Sequence, residues 1–413
     1  MKKCLYLFII IYLTSCGKQN DTADNINEIS FWHFWSEPSQ KKALQFIISD
    51  FEKLNNCKVK LTELSWNDGK TKLFAAFNSN TGPDVLELGS DWVAQFSSSK
   101  VLNEIEKGKS GIDNFIAFST EPSYWNNKIY ALPWVVDTRL IFYNKSLMDS
   151  IGVDSPPNSF AELLEYSKSI NDLDGVYGFG TNGADKNRLY KKIITFLWSN
   201  GGGVIKNNKS ILNSIENKEA FEYIKLLSSY SIIENQKNLD DLFANGKIGF
   251  TISGSWLINK INEFNDDNSK SNIKTFEYGV IEIPLFNGKK GVSFAGGEYL
   301  SINNKSNNKD LALKLVKYLT NGANSIKFCK KIPEAGFPAD KNYFNNNYFQ
   351  TLEYKSIFAK QLYNAKMTPI TPNWLNIQDE LERLAENIIY EKIKIEIGIK
   401  NTSLKIDEIL LKQ

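Results

Sequence analysis

Between Ile29 and Leu88 the chain alternates runs that are apolar on both faces with runs of helical period. Ile29–Phe34 is apolar on each side, and Ala43, Phe46, Ile47, Phe51 and Leu54 then recur at helical spacing up to about Asn55. "KVKLTEL" reads as strand, "KLFAAFN" as helix and "PDVLEL" as strand again. A strand that is apolar on both faces has to be covered on both, and amphipathic helices are what cover it. The β-α-β-α-β order therefore predicts an α/β fold on a buried parallel sheet.

The pattern continues downstream. "IYALPWVVDTRLIFYN", from Ile129, is extended but interrupted by Pro133, and Ser159 with Glu162 forms a capping box that opens the next helix. "LFANGKIGFTISGSWLINKI" predicts a helix stopped at Asn245-Gly246, a strand to about Ile252, a turn at Gly254 and a helix from about Ser255. "GGEYLSI" and "KDLALKLVKYLT" repeat strand then helix. The C-terminal third reads as mostly helical, although "KIKIEIGIK" alternates with period two and matches a strand on pattern alone.

Lys2 and Lys3 precede an apolar run from Leu5 to Leu13, about half of the ~20 residues a membrane span needs, so residues 1–15 read as a signal peptide. "LTSC", ending at Cys16, resembles the lipobox of bacterial lipoproteins, which would make Cys16 the acylated first residue of the mature chain, with 16–27 as a polar tether. Cys57 and Cys329 are then the only thiols of the body: one disulfide is open to them, a framework is not. His33 is the single histidine, which removes His-based zinc sites and Ser-His-Asp chemistry. No cofactor or metal is expected. The 49 basic and 47 acidic residues become 47 and 47 without the leader, so no global field draws the body to nucleic acid. About 390 residues are more than one core usually organises.

Candidate binding residues gather at the carboxyl ends of the expected strands, where open α/β sheets collect ligands. Trp35-Ser36, Asp91-Trp92 and Trp256 occupy that station. A sugar ring offers an apolar face and a rim of hydroxyls, so its site needs aromatic platforms edged by acids, amides and guanidinium. "PWVVDTR" sets Trp134 beside Asp137 and Arg139, and "GGEYL" supplies Glu298. Each Trp has an alternative as a large core side chain, and Asp137 with Arg139 as a surface ion pair.

"TGPDVLELGSDWVAQFSSSKVLNEI", "YALPWVVDTRLIFYNKSLMDSIGVDSPPNSFAELL", "FANGKIGFTISGSWLI" and "GGEYLSINNKSNNKDLALKLVKYLT" resemble, in the family's order, the blocks of family 1 extracellular solute-binding proteins of ABC transporters, the group of the maltose-binding protein. The resemblance implies a type II periplasmic-binding-protein fold: two discontinuous α/β lobes, 28–136 with 287–339 and 137–286 with 340–413, joined by a hinge around a sugar cleft. It carries sugar-contacting roles onto Asp91, Asp137 and Trp256, with Trp92 standing where the family has an arginine. It also points to Trp374, to Trp35 and Ser36, and to an aromatic from "RLYKKIITFLWSNGG", either Tyr190 or Trp198, of which Trp198 is preferred.

The function expected is that of a lipid-anchored, extracytoplasmic carrier, with ABC permease subunits and the membrane as partners. An anchored glycoside hydrolase, the same fold with a non-sugar solute, and an adhesin or sensor are the alternatives. Hydrolysis would need two carboxyl groups about 5–5.5 or 6.5–9.5 Å apart, and no such pair stands out.

Overall fold

A computed structural model of the chain describes residues 27–183, 185, 188–270 and 277–412. The expected leader and lipidated Cys16, and all of the tether but Asn27, lie outside these residues. Two mixed sheets organise the chain. The first comprises β1 (Asn27–His33), β2 (Cys57–Glu63), β3 (Val85–Gly89) and β4 (Ala131–Thr138). The second takes β5 (Leu140–Asn144), β6 (Tyr177–Asn182), β7 (Ser231–Glu234), β8 (Ile248–Ser253) and β9 (Tyr278–Ile281). The chain then returns to the first sheet with β10 (Ser293–Ile302), β11 (Phe337–Pro338) and β12 (Ala365–Lys366).

Strand order is β11-β4-β10-β3-β1-β2, with β12 beside β10, and β7-β6-β8-β5-β9 in the second sheet. The first sheet is only partly parallel. β1 runs parallel to β2 and β3, but β10 lies antiparallel between β3 and β4. A strand arriving from the other sheet is not bound by the crossover geometry that keeps β1 to β3 parallel. Only Arg139 separates β4 from β5, so the first passage between sheets is a single residue; the return runs through 282–292.

Among the helices are α1 (Pro38–Asn55), α2 (Leu189–Ser199), α3 (Gln236–Ala244), α4 (Trp256–Lys270), α5 (Trp374–Ile389) and α6 (Ile395–Leu410). In α1 the buried stripe is Ala43, Leu44, Ile47, Ile48 and Phe51, each such aliphatic or aromatic side chain worth about 1.5–3 kcal/mol when fully buried. Phe46 and Leu54, read as part of that stripe, are 53% and 73% exposed, and the Lys331 ammonium covers the Phe46 ring instead at 4.6 Å. The Ser159 cap forms, its Oγ accepting from Glu162 N–H at 3.2 Å, while Glu162 accepts from Asn158 rather than from Ser159. "KIKIEIGIK" runs into α6 and is no strand: Gly398, Ile399, Thr402, Ile406 and Leu410 are buried at helical spacing, and Ile397 points out. Cys57 and Cys329 are separate buried thiols. Among the described residues no helix is long and apolar enough to cross a membrane.

Candidate functional site

The carboxyl ends of β3 and β4 face the amino end of α2 from the other side of the molecule. Tyr190 Oη donates to Asp91 Oδ2 at 2.7 Å, joining elements that flank different sheets. Gly89 makes the Asp91 position feasible, since a Cβ there would sit 2.7 Å from the Asp91 carboxylate. Tyr190 is fully buried, its ring edge-on to Phe294 and Trp374 with centroids 6.2 and 5.8 Å away. Burial, and then the Asp91 charge, hold its hydroxyl well above the usual phenol range, so it remains a donor.

Phe294 links this group to the inter-sheet passage. Arg139 pairs with Asp137, and its guanidinium lies 5.6 Å from the Phe294 centroid and 4.5 Å from that of Trp256. Trp256 Nε1 donates to Asp240 Oδ2 at 3.1 Å. Its ring fits because residue 254 is glycine; a Cβ there would lie 2.0 Å from the indole. Glu334 forms a second link across the sheets, accepting from Gln40 Nε2 at 2.8 Å and from Asn259 Nδ2, while its carbonyl accepts from Ser255 Oγ at 3.3 Å.

Acids are concentrated beneath the aromatics. Glu87 is fully buried in β3, one oxygen accepting from Phe34 N–H at 2.9 Å and the other without a partner among the described residues. Burial pushes its carboxyl up to about 8. Glu298, on β10, is held well above the usual range by burial and then by the charges of Asp137 and Glu87. His33, in the same core, is pushed down to about 4 by burial. Burial also takes Lys192 down to about 7 and Asp240 up to about 6.

The structure therefore brings Asp91, Asp137, Arg139, Trp256, Glu298 and Trp374 into one connected neighbourhood through Tyr190 and Phe294. Trp35 and Trp134 form an adjoining aromatic cluster, with centroids 6.2 Å apart, and Trp134 stacks on Phe328 at 4.4 Å. Trp134 is 0% exposed, so it also meets the core alternative weighed for each indole. Trp92 packs at 5.4 Å on Trp66, which itself stacks on Phe34 at 4.1 Å. Ser36 is exposed, and Trp198 lies with Tyr190 and Trp374 in the buried core of the second half, where Trp374, 1% exposed, also meets the core alternative. Sequence reasoning passed over Glu87, Lys192, Asp240 and Trp66. A glutamate inside the otherwise apolar "DVLELG" was the available signal for the first; Trp66 and Asp240 stand in segments with no motif. Among the described residues no cluster of His, Cys, Asp and Glu has the makings of a metal site.

Comparison with known proteins agrees with this architecture. The family model described as bacterial extracellular solute-binding protein matches residues 35–324. The galactooligosaccharide-binding protein of Bacillus subtilis is 25% identical over 413 aligned positions, covering 93% of this chain and 92% of its own. Among solved structures, the GacH receptor of Streptomyces glaucescens, known unliganded and with acarbose, superposes with a TM-score of 0.82 at 22% identity, over 93% of this chain and 98% of that one. Maltose-bound MalE3 of T. maritima superposes with a TM-score of 0.78 at 22% identity, over 92% and 99%. The fold is thus the one expected from the sequence blocks. The matched proteins are named for binding. With the match covering well over half of the chain, including both passages between the sheets, the chain belongs to the bacterial extracellular solute-binding protein family.

Proposed function

We propose that this protein captures a sugar or oligosaccharide between two lobes, 28–136 with 287–339 and 137–286 with 340–413, and delivers it to an ABC importer, tethered to the membrane by lipid on Cys16. The reading rests on one observation above all: aromatic faces, acids and a guanidinium meet between the two sheets, with Tyr190 bonded across to Asp91. The carbohydrate-binding names of the relatives point the same way. In this reading the ligand contacts Asp91, Asp137, Arg139, Trp256 and Glu298, the buried Trp374 backs Tyr190, and Tyr190 takes the place first given to Trp198. A ligand touching both lobes binds the closed arrangement more tightly and shifts the equilibrium toward it by that differential affinity alone.

A thermal-shift and tryptophan-fluorescence screen of residues 28–413 against mono- and oligosaccharides tests the proposal. A binder gains stability as RT ln(1 + [L]/Kd), about 2.7 kcal/mol at a hundredfold excess over Kd. Silence across neutral, acidic and amino sugars would overturn the carbohydrate reading and favour a non-sugar solute.

A further inference from the structure

Lys192 sits in the first turn of α2, two residues beyond Tyr190, and is 6% exposed. Its ammonium has no hydrogen-bond partner among the described residues. Asp240 and Asp185 supply nearby opposite charge, but their oxygens bond other groups and not the ammonium. Asp240 accepts from Gln236 Nε2 at 2.8 Å and from Trp256 Nε1 at 3.1 Å, and Asp185 accepts from Gln236 N–H at 2.7 Å. Asp137 is paired with Arg139. Arg139 and Arg188 add positive charge toward Lys192, and Lys191 stands 5.2 Å from the Phe294 ring on the same turn.

A buried ammonium that bonds directly to none of the acids around it is a costly arrangement until an acceptor, best an anionic one, completes it. We infer that the cleft takes a carboxylated sugar, a uronic or sialic acid residue, whose carboxylate is received by Lys192 beside Arg139 and Trp256. This rests on the carbohydrate reading above and narrows it. A neutral sugar offers hydroxyls to the ammonium but no compensating charge. An amino sugar would set a further cation beside Lys192, Arg139 and Arg188. The lowered Lys192 adds a signature: at pH 8 the free lysine is largely neutral, and a bound carboxylate recharges it, so binding takes up a proton.

Calorimetry of residues 28–413 against trigalacturonic acid, its methyl ester, sialyllactose, maltotriose and the glucosamine trimer tests the inference, in two buffers of different ionisation enthalpy at pH 8. Tightest binding by an acid-bearing sugar, weakening of its methyl ester where it has one, and proton uptake are expected. Lys192→Met should weaken the acidic sugar by about 10- to 100-fold, the scale of a lost charged hydrogen bond, while Lys192→Arg keeps it within a few fold. Tighter binding of maltotriose or the glucosamine trimer overturns the acidic assignment and leaves the carbohydrate function standing. An acidic sugar bound equally by wild type and Lys192→Met overturns the role of Lys192. Failure of every saccharide removes the carbohydrate reading itself.

Discussion

Replacing Tyr190 with Phe removes one hydroxyl and little else. The phenyl ring keeps its edge contacts with Phe294 and Trp374, so the core around α2 should hold its shape. What disappears is the 2.7 Å hydrogen bond to Asp91, made between a fully buried phenol and a carboxylate only 9% exposed. A hydrogen bond to a charged group contributes about 1.5–3 kcal/mol, and each 1.4 kcal/mol is tenfold in affinity. If the bond belongs to the closed arrangement alone, the whole of that difference falls on ligand binding, and Kd rises by about 10- to 100-fold. The melting temperature of the unliganded protein should move little. Titration with the tightest saccharide of the screen measures the first quantity and calorimetric unfolding the second. A double-mutant cycle with Asp91→Ala should return a coupling of about 1–3 kcal/mol. A melting temperature that drops while Kd stays within twofold would refute the reasoning, because the bond would then stabilise both arrangements equally.

Trp256→Ala should weaken saccharide binding by about 1–3 kcal/mol, the scale of burying one large apolar side chain, and an unchanged titration would take the indole out of the site. Gly254→Ala, which drives a methyl into that indole, should cost about 1–3 kcal/mol of stability and quench or shift the Trp emission; an unaltered spectrum and melting curve would contradict the close approach. Glu87 has a folded-state value raised from the usual carboxylate range to about 8, so the stability it contributes is fully present below about pH 4.5 and is lost as pH rises through 8. Glu87→Gln, which keeps an acceptor for Phe34 N–H, should flatten that decline in melting temperature between pH 5 and 9. Both body thiols are buried, with Cys329 pushed up to about 12, so residues 28–413 should resist a thiol reagent when folded and titrate two thiols when unfolded.

The sheet-and-helix alternation was legible because burial on two faces leaves a mark in every residue of a strand. Partial parallelism was not, since β10 owes its direction to a partner strand more than 150 residues earlier. "KIKIEIGIK" misleads for a related reason: its alternation spans few residues, and the helical spacing from Ile399 to Leu410 decides the outcome. Strand-end positions singled out Asp91 and Trp256, which lie against Tyr190 and Arg139. Nothing in the segment separated Tyr190 from Trp198, because which turn of α2 reaches Asp91 depends on how the two halves meet. Lys192 was hidden by ordinary composition, as a lysine pair at a helix start looks like a solvated face until the opposing sheet covers it.

The single residue between β4 and β5 places Asp137 and Arg139 on the very pivot about which the two sheets would turn. Parts near a fulcrum travel least. Grip on the ligand there costs almost no displacement, whereas the Asn259 to Glu334 hydrogen bond joins the two halves and has to part whenever they do. A pair of spectroscopic labels flanking that bond would therefore report opening that labels beside Arg139 would miss.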